Sequence, residues 1–178
     1  MLFRSVANAV FEQADAIMLS GETTVGKYPL ECVEVLSRIS QRIERSGGAS
    51  YADAVELPDE RQKVIRSAVV MANELNAKGI LVFTRQGFMA RCTSWLRPKS
   101  TPIYAFTSKP TVCNQLCLNW GVTPFVIEFS DDPEVTILRA QKVLREQSLL
   151  TRGDQVVVVT DVLARDKLIN TVQMRAVE

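Results

Sequence analysis

Two groups of residues in this chain have types and spacings that chemistry uses. Thr84-Arg85-Gln86-Gly87 and Thr107-Ser108-Lys109 each follow a short apolar run, and Ser130-Asp131 and Thr160-Asp161 follow two more. If those runs are strands of one open parallel sheet, the tips share its carboxyl edge, where such sheets bind ligands. Hydroxyls, the Arg85 guanidinium and the Lys109 ammonium on one edge, with backbone N–H groups at helix starts, are the chemistry of an anion site. Thr84, Arg85, Gly87, Ser108 and Lys109 are the candidate binding residues. The second group is Ser20-Gly21-Glu22-Thr23, a polar stretch between the apolar run Ala16 to Leu19 and a segment opened by Pro29. Its plainest reading is that the hydroxyls and the Glu22 carboxylate shape a loop and start the next helix. That reading outweighs a reacting role, because positioning residues outnumber reacting ones in any site.

Other chemistries are excluded by composition. The chain has no histidine, which removes Ser-His-Asp and Cys-His nucleophile activation, histidine acid–base chemistry and most zinc sites. Cys113 and Cys117 share a helix face at i,i+4 spacing, but a metal would need two further ligands and none is near in sequence. With Cys32 and Cys92 they make four cysteines, too few for a disulfide scaffold, so reduced structural thiols are expected. Net charge is +1, which gives no bulk electrostatic case for nucleic acid or an anionic membrane. No apolar run reaches the ~18 residues a membrane helix needs. At 178 residues, with 47% hydrophobic and 23% charged residues, the chain has an ordinary globular profile and room for one domain and part of another.

Periodicity supplies the elements that would position these groups. Residues 6–14 read as a short helix, and Ala16 to Leu19 as a buried strand. Tyr28 to about Arg45 is a helix with Pro29 in its first turn. Leu30, Val33, Leu36, Ile39 and Ile43 make one apolar stripe along it. Ser46-Gly47-Gly48 ends this helix, and the Gly-, Ser- and Asp-containing stretch 49–59 reads as a linker. Glu60 to Asn76 is helical. Strands are expected at Gly79 to Phe83, Ile103 to Phe106, Pro124 to Phe129, Gln155 to Val159 and Thr171 to Val177. Helices are expected at Met89 to Leu96, Thr111 to Leu118 and, behind the Ser130-Asp131-Asp132-Pro133 start signal, to about Gln147. Alternating strands and helices imply an α/β fold with a mostly parallel five-stranded sheet and helices on both faces. Thr160 to Asn170 reads as a loop too short for a crossover helix, which leaves the fifth strand antiparallel at an edge.

Ile17 to Glu31, IMLSGETTVGKYPLE, with Ser5 to Ala16 before it, resembles the last βα units of the catalytic barrel of pyruvate kinase. The family pattern runs roughly D-V-A-N-A-V-x-x-x-A-D-x-x-M-L-S-G-E-T-x-x-G-x-Y-P-x-E. The chain carries Val6 to Val10, Ala14-Asp15, Met18 to Thr23, Gly26, Tyr28-Pro29 and Glu31 of it. The resemblance implies that residues 1–48 are a remnant of the C-terminal end of a (β/α)8 barrel, its last strand and helix. Residues 60–178 would then be the C-terminal regulatory and oligomerisation domain. It also implies a parent that moves a phosphoryl group from phosphoenolpyruvate to ADP with Mg²⁺ and usually K⁺, giving ATP and pyruvate. That parent would be a homotetramer, in the cytoplasm, or in the plastid stroma if the source is a plant or alga.

The family's catalytic lysine, metal-binding acids, phosphate-binding arginine and catalytic threonine lie upstream of the matched stretch. This chain alone is therefore expected to be inactive and to hold no metal. Ser20 and Glu22 become candidates for the active-site rim, since barrel sites are built from loops at the strands' C-terminal ends. Where the family has Asp before Val-Ala-Asn-Ala, this chain has Ser5 after Met-Leu-Phe-Arg, and residues 1–5 are read as an assembly scar.

In many pyruvate kinases a sugar phosphate effector binds the C-terminal domain through a loop resembling T-E-S-G-R-S. Thr84 and Gly87 match it, but Arg85, Gln86, Phe88 and Met89 replace its Glu, Ser, Arg and Ser. The stretches VFTRQGFMA, RPKSTPIYAFT and EFSDD are closer to plastid-type members. Phe88 and Met89 at the pocket mouth, and Asp161 and Asp166 beside it, imply lost or altered effector binding. Trp95, Trp120, Phe88 and Tyr104 are core or interface residues, and an exposed one would anchor a subunit contact. Two other classes compete with this reading. A freestanding α/β module binding a small anion or sugar phosphate would not need Met18 to Thr23. A Rossmann-type oxidoreductase would need a glycine-rich turn that Gly87 alone does not supply.

Overall fold

The computed structural model describes residues 2–164 and 167–178, with side chains described for 4–160 and 170–178. The chain divides into two compact units, Met1–Val55 and Glu56–Glu178.

The first unit is helical: α1 Leu2–Phe11, α2 Gly21–Thr24, α3 Pro29–Glu44 and a 3₁₀ turn at Tyr51–Ala54. Pro29 opens α3 where a missing N–H costs nothing. Helix α1 packs along α3. Val6 of α1 and Ile39 of α3 are buried. The chain after α1 is tied to the stretch after α3: the Ala49 N–H donates to the Phe11 carbonyl at 2.8 Å and the Tyr51 N–H to Gln13 Oε1 at 3.0 Å.

Ala16 to Leu19, expected as a strand, is irregular. A strand exists only as part of a ladder that satisfies its N–H and C=O groups, and no described residue of this unit is in a strand. Met18 is accordingly 85% exposed, and Leu30 and Val33 of the expected α3 stripe are 75% and 51% exposed.

The second unit is a layered α/β domain. Its elements are α4 Glu60–Leu75, β1 Gly79–Phe83, α5 Phe88–Trp95, β2 Ile103–Thr107, α6 Pro110–Leu116, β3 Val122–Val126, α7 Pro133–Glu146, β4 Gln155–Ala164 and β5 Lys167–Ala176. Sheet order is β3-β2-β1-β4-β5, with β1 to β4 parallel and β5 antiparallel to β4. Alternation along the strands feeds two cores. Ile80, Val82, Ile103, Ala105, Val157 and Val159 pack with α4, α5 and α6. Leu81, Phe83, Tyr104, Phe106, Val156 and Val158 pack with α7. The run Val156 to Val159 is fully buried, as a strand covered on both faces must be.

Local signals place the helices. Asp59 caps α4 by accepting the Arg61 N–H at 2.8 Å, and Gln62 Oε1 reciprocally accepts the Asp59 N–H at 3.2 Å. Asp132 caps α7 through the Glu134 N–H at 2.9 Å.

Three further element expectations are corrected. Strand β3 is Val122–Val126 rather than Pro124 to Phe129, because its ladder can run only opposite β2, from Ile103↔Val122 to Thr107↔Val126. Pro124 is tolerated because β3 is an edge strand. The expected loop Thr160 to Asn170 is largely strand: β4 continues to Ala164 and β5 begins at Lys167, in one long hairpin register from Gln155↔Ala176 to Ala164↔Lys167. The first helix starts at Leu2 and ends at Phe11 rather than covering 6–14.

Candidate functional site

Strands β2 and β3 lie on one side of β1, and β4 lies on the other. The chain thus reverses its direction of travel across the sheet between β1 and β4. Such switch points leave a crevice outside the carboxyl ends of the strands. A cleft of about 630 Å³ lies there. It is lined by Phe83, Thr84, Arg85 and Gln86 from the end of β1, and by Thr160 from β4. Phe88 and Met89 of α5, Arg61 of α4, and Phe129, Ser130, Asp131, Pro133, Thr136 and Ile137 from the entry to α7 complete it.

The backbone at its base is held by its own polar groups. Gly87 sits at φ +81°, and its N–H donates to the buried Thr84 hydroxyl at 2.9 Å. A Cβ there would meet Arg91 Nη1 at 2.9 Å and Leu116 and Val112 methyl carbons at 3.4 Å, so both dihedral and space call for glycine. On the other wall the Ser130 N–H donates to the Thr136 hydroxyl at 2.9 Å. That hydroxyl in turn donates to the Asp132 carbonyl at 3.4 Å, and the Asp132 N–H donates to Ser130 Oγ at 3.3 Å.

The apolar wall is aromatic. Phe83 meets Phe129 edge-on with ring centroids 6.1 Å apart, and stacks on Phe106 at 5.2 Å. Arg61 lies over the Phe88 ring, 5.0 Å from its centroid, and pairs with Asp59 at 2.9 Å. That pairing, with the Arg61 N–H, holds the Asp59 carboxyl below its usual range. Arg85 is exposed at the rim.

Several expected site residues meet here and others do not. Thr84, Arg85, Ser130, Asp131 and Thr160 converge on the cleft, with Gly87 shaping its base. Ser108 and Lys109 are exposed residues outside its lining. They follow β2, which lies on the far side of β1 from β4. The expected apolar blockade of the mouth is corrected in part. Phe88 is half-buried, whereas Met89 is only 6% exposed and belongs to the helix-side core. Asp161 continues β4 opposite Asn170, but its side chain, like Asp166, lies outside the described residues. Arg61, Phe83 and Phe129 were not singled out from sequence. Their signal was the strand order, which no local pattern displays.

In the first unit, Ser20 and Glu22 build a turn. The Ser20 carbonyl accepts the Thr23 and Thr24 N–H groups at 3.2 and 3.0 Å and both threonine hydroxyls at 3.2 and 2.8 Å. The Glu22 carboxylate accepts the Ser20 N–H at 3.2 Å; its own backbone N–H first, and then that bond, lower its pKa. Among the described residues no three Asp, Glu or Cys side chains cluster to hold a metal ion. The Mg²⁺ implied by the resemblance therefore finds no fitting donor set in them. No described helix is long and apolar enough to cross a membrane.

The sequence model of the alpha/beta domain of pyruvate kinase matches residues 62–174, which include β1 to β4, most of β5 and every cleft-lining residue except Arg61. The chain belongs to the pyruvate kinase family. It is similar to the chloroplastic pyruvate kinase isozyme A of Ricinus communis, with 34% identity over 93% of this chain and 30% of that protein. It is also similar to the chloroplastic plastidial pyruvate kinase 3 of Arabidopsis thaliana, with 38% identity over 97% of this chain and 31% of that protein. The pyruvate kinase of Mycobacterium tuberculosis is 39% identical over 86% of this chain and 32% of its own length. Among solved structures, Cryptosporidium parvum pyruvate kinase in complex with ADP superposes with a TM-score of 0.84 and 33% identity. That match covers 99% of this chain and 36% of the other. The chain thus spans about 30% of the length of the curated pyruvate kinases it matches.

Proposed function

We propose that this chain is the C-terminal portion of a pyruvate kinase whose parent transfers the phosphoryl group of phosphoenolpyruvate to ADP in glycolysis. The observation that carries the proposal is the alpha/beta-domain match over residues 62–174, preceded in the same chain by the barrel-end residues Met18 to Thr23. Residues 1–48 are the end of the catalytic barrel, 49–59 the linker, and 60–178 the regulatory and oligomerisation domain. Ser20 and Glu22 belong to the active-site rim of the parent. The bonds their backbone groups and the Glu22 carboxylate make here position the loop. Mg²⁺, K⁺, ADP and phosphoenolpyruvate bind the parent through residues upstream. Trp95, exposed on α5, is the anchor candidate for subunit contact in a parent homotetramer. The parent is placed in the cytoplasm, or in the plastid stroma if the source is a plant or alga, an option that the chloroplastic relatives support.

Phosphoryl transfer needs metal ions and cationic clamps to stabilise the transferring group. The 178-residue chain is therefore expected to show no turnover of phosphoenolpyruvate and ADP at saturating Mg²⁺ and K⁺. Turnover above a vector-only preparation, abolished by a substitution in this chain, would contradict that. The cleft favours one function that needs no barrel: residues 56–178 bind a small anionic effector, as a module of the parent or alone.

A further inference from the structure

We propose that Cys113 and Cys117 form a two-thiolate site for a soft, linearly coordinated cation of the class of Cu(I). Neither residue lines the switch-point cleft, and the site makes no use of it.

The fold holds the pair in place. Helix α6 is anchored by Val112 and Leu116, which are buried in the helix-side core. Cys113 and Cys117 each follow one of these anchors, so they form the neighbouring stripe along the edge of the buried face. Cys113 is accordingly half-buried and Cys117 exposed. Helical side chains lean toward the N-terminus, which brings residue i+4 back over residue i. The Cys117 thiol does this, donating to the Cys113 carbonyl at 3.5 Å. Burial pushes the pKa of the Cys113 thiol up and the neighbouring Cys117 pushes it further, so the two sulfurs lie within electrostatic reach.

Spacing decides what the pair can hold. Cβ atoms four residues apart on a helix are separated by about 5–6 Å. A disulfide needs about 3.8 Å, so the two thiols cannot close on each other while the helix stands. A tetrahedral ion such as Zn²⁺ needs four ligands, and among the described residues no third Cys, Asp or Glu joins the pair. A linear ion needs only two. With metal–sulfur bonds of about 2.3 Å its sulfurs stand about 4.6 Å apart, and near-perpendicular Cβ–S–metal angles put the Cβ atoms about 5 Å apart. That is the helical spacing, so the ion enters without unwinding α6. Thiolates select soft cations, Cu(I) among them. On binding, two S–H bonds break, two Cu–S bonds form and two protons leave to solvent on the exposed Cys117 side. Copper stays in the +1 state throughout, so no oxidant or reductant is consumed.

The experiment titrates the full reduced chain, without oxygen, against the Cu(I)–bicinchoninate complex, whose colour reports copper lost to the protein. The chain is expected to take one Cu(I), which X-ray absorption should show bound by two sulfurs and no other atom. Cys113→Ser and Cys117→Ser should each weaken binding by more than the about 10–100-fold that loss of a mere supporting group costs. Cys32→Ser and Cys92→Ala should leave it unchanged. Cys117→Ser combined with Leu118→Cys keeps an exposed thiol but breaks the four-residue spacing, and should bind no better than Cys117→Ser alone. Fluorescence melting of Trp95 and Trp120, both in the second unit, verifies that each variant is folded. Copper retained after Cys113→Ser and Cys117→Ser together, or full binding by the shifted-thiol variant, would overturn the proposal. So would a third copper ligand, copper held only between two chains on size exclusion, or no copper taken from bicinchoninate.

Discussion

Gly87 concentrates more constraint than any other residue of the cleft. Its φ of +81° is one that L side chains rarely adopt, and its Cβ position is already occupied by Arg91, Val112 and Leu116. Gly87→Ala is expected to cost about 1–3 kcal/mol, more than the usual loss for an exposed helix glycine, and to lower the tryptophan-monitored melting temperature. A melting temperature unchanged by the substitution would mean the turn relaxes freely. Glu134 offers a pH prediction. Its carboxylate accepts from both Arg175 Nη atoms, at 2.5 and 2.6 Å, and this bidentate pairing lowers its pKa below the ordinary 4.5. A depressed carboxylate contributes stability that is complete above its unfolded pKa and fades as pH falls through the folded one. The pair is substantially solvated, so its share is at most about 1 kcal/mol. Melting profiles of the wild type and Glu134→Gln should therefore differ near neutrality and converge as pH drops well below 4.5. A difference that persists undiminished in acid would rule out the charge as its origin.

At the scale of elements, the contrast between Ala16 to Leu19 and Val156 to Val159 is the sharpest. Both are apolar runs, yet only the second has ladders on either side, with β1 and β5. Backbone amides of residues 16–19 should exchange with solvent early, and those of 156–159 should approach the protection of global unfolding. Equal protection of the two runs would contradict this. The same contrast explains what the residue pattern disclosed and what it hid. Strand β1 was legible to the residue, because GILVF is bounded by glycine and a polar turn and is buried on both faces. The β4–β5 hairpin was half hidden. Thr160-Asp161 interrupts the valine run as a turn would, while the ladder that overrides this signal is made by residues up to 21 positions downstream, at Gln155↔Ala176. Strand β3 starts two residues and ends three residues before its expected bounds for a related reason: its ends are set by the length of β2, not by its own composition. In the cleft, Thr84, Arg85 and Gly87 could be read from their positions after β1. Arg61 and Phe129 could not, because they reach the cleft only through the order of strands.

At the scale of the whole chain, the two units differ in how completely they cover their apolar side chains. The second has cores on both faces of its sheet, whereas the first leaves Met18, Val25, Leu30 and Val33 open to solvent. Unfolding is therefore expected to be non-coincident by different probes, a signature of departure from two-state behaviour. Helical circular dichroism, which reports both units, should begin to fall at lower temperature than tryptophan fluorescence, which reports the second alone. Superimposable transitions would show that the first unit is as cooperative as the second.

The position of the cleft has a mechanical corollary. Its walls come from α4 and α5, seated on one face of the sheet, and from the entry to α7, seated on the other. The strands of the sheet lie between these two helical layers. An occupant of the cleft would act as a rivet through the end of a laminate, resisting shear of one layer over its neighbour. Its grip would be felt as stiffness far from Arg85, in helices that never touch it.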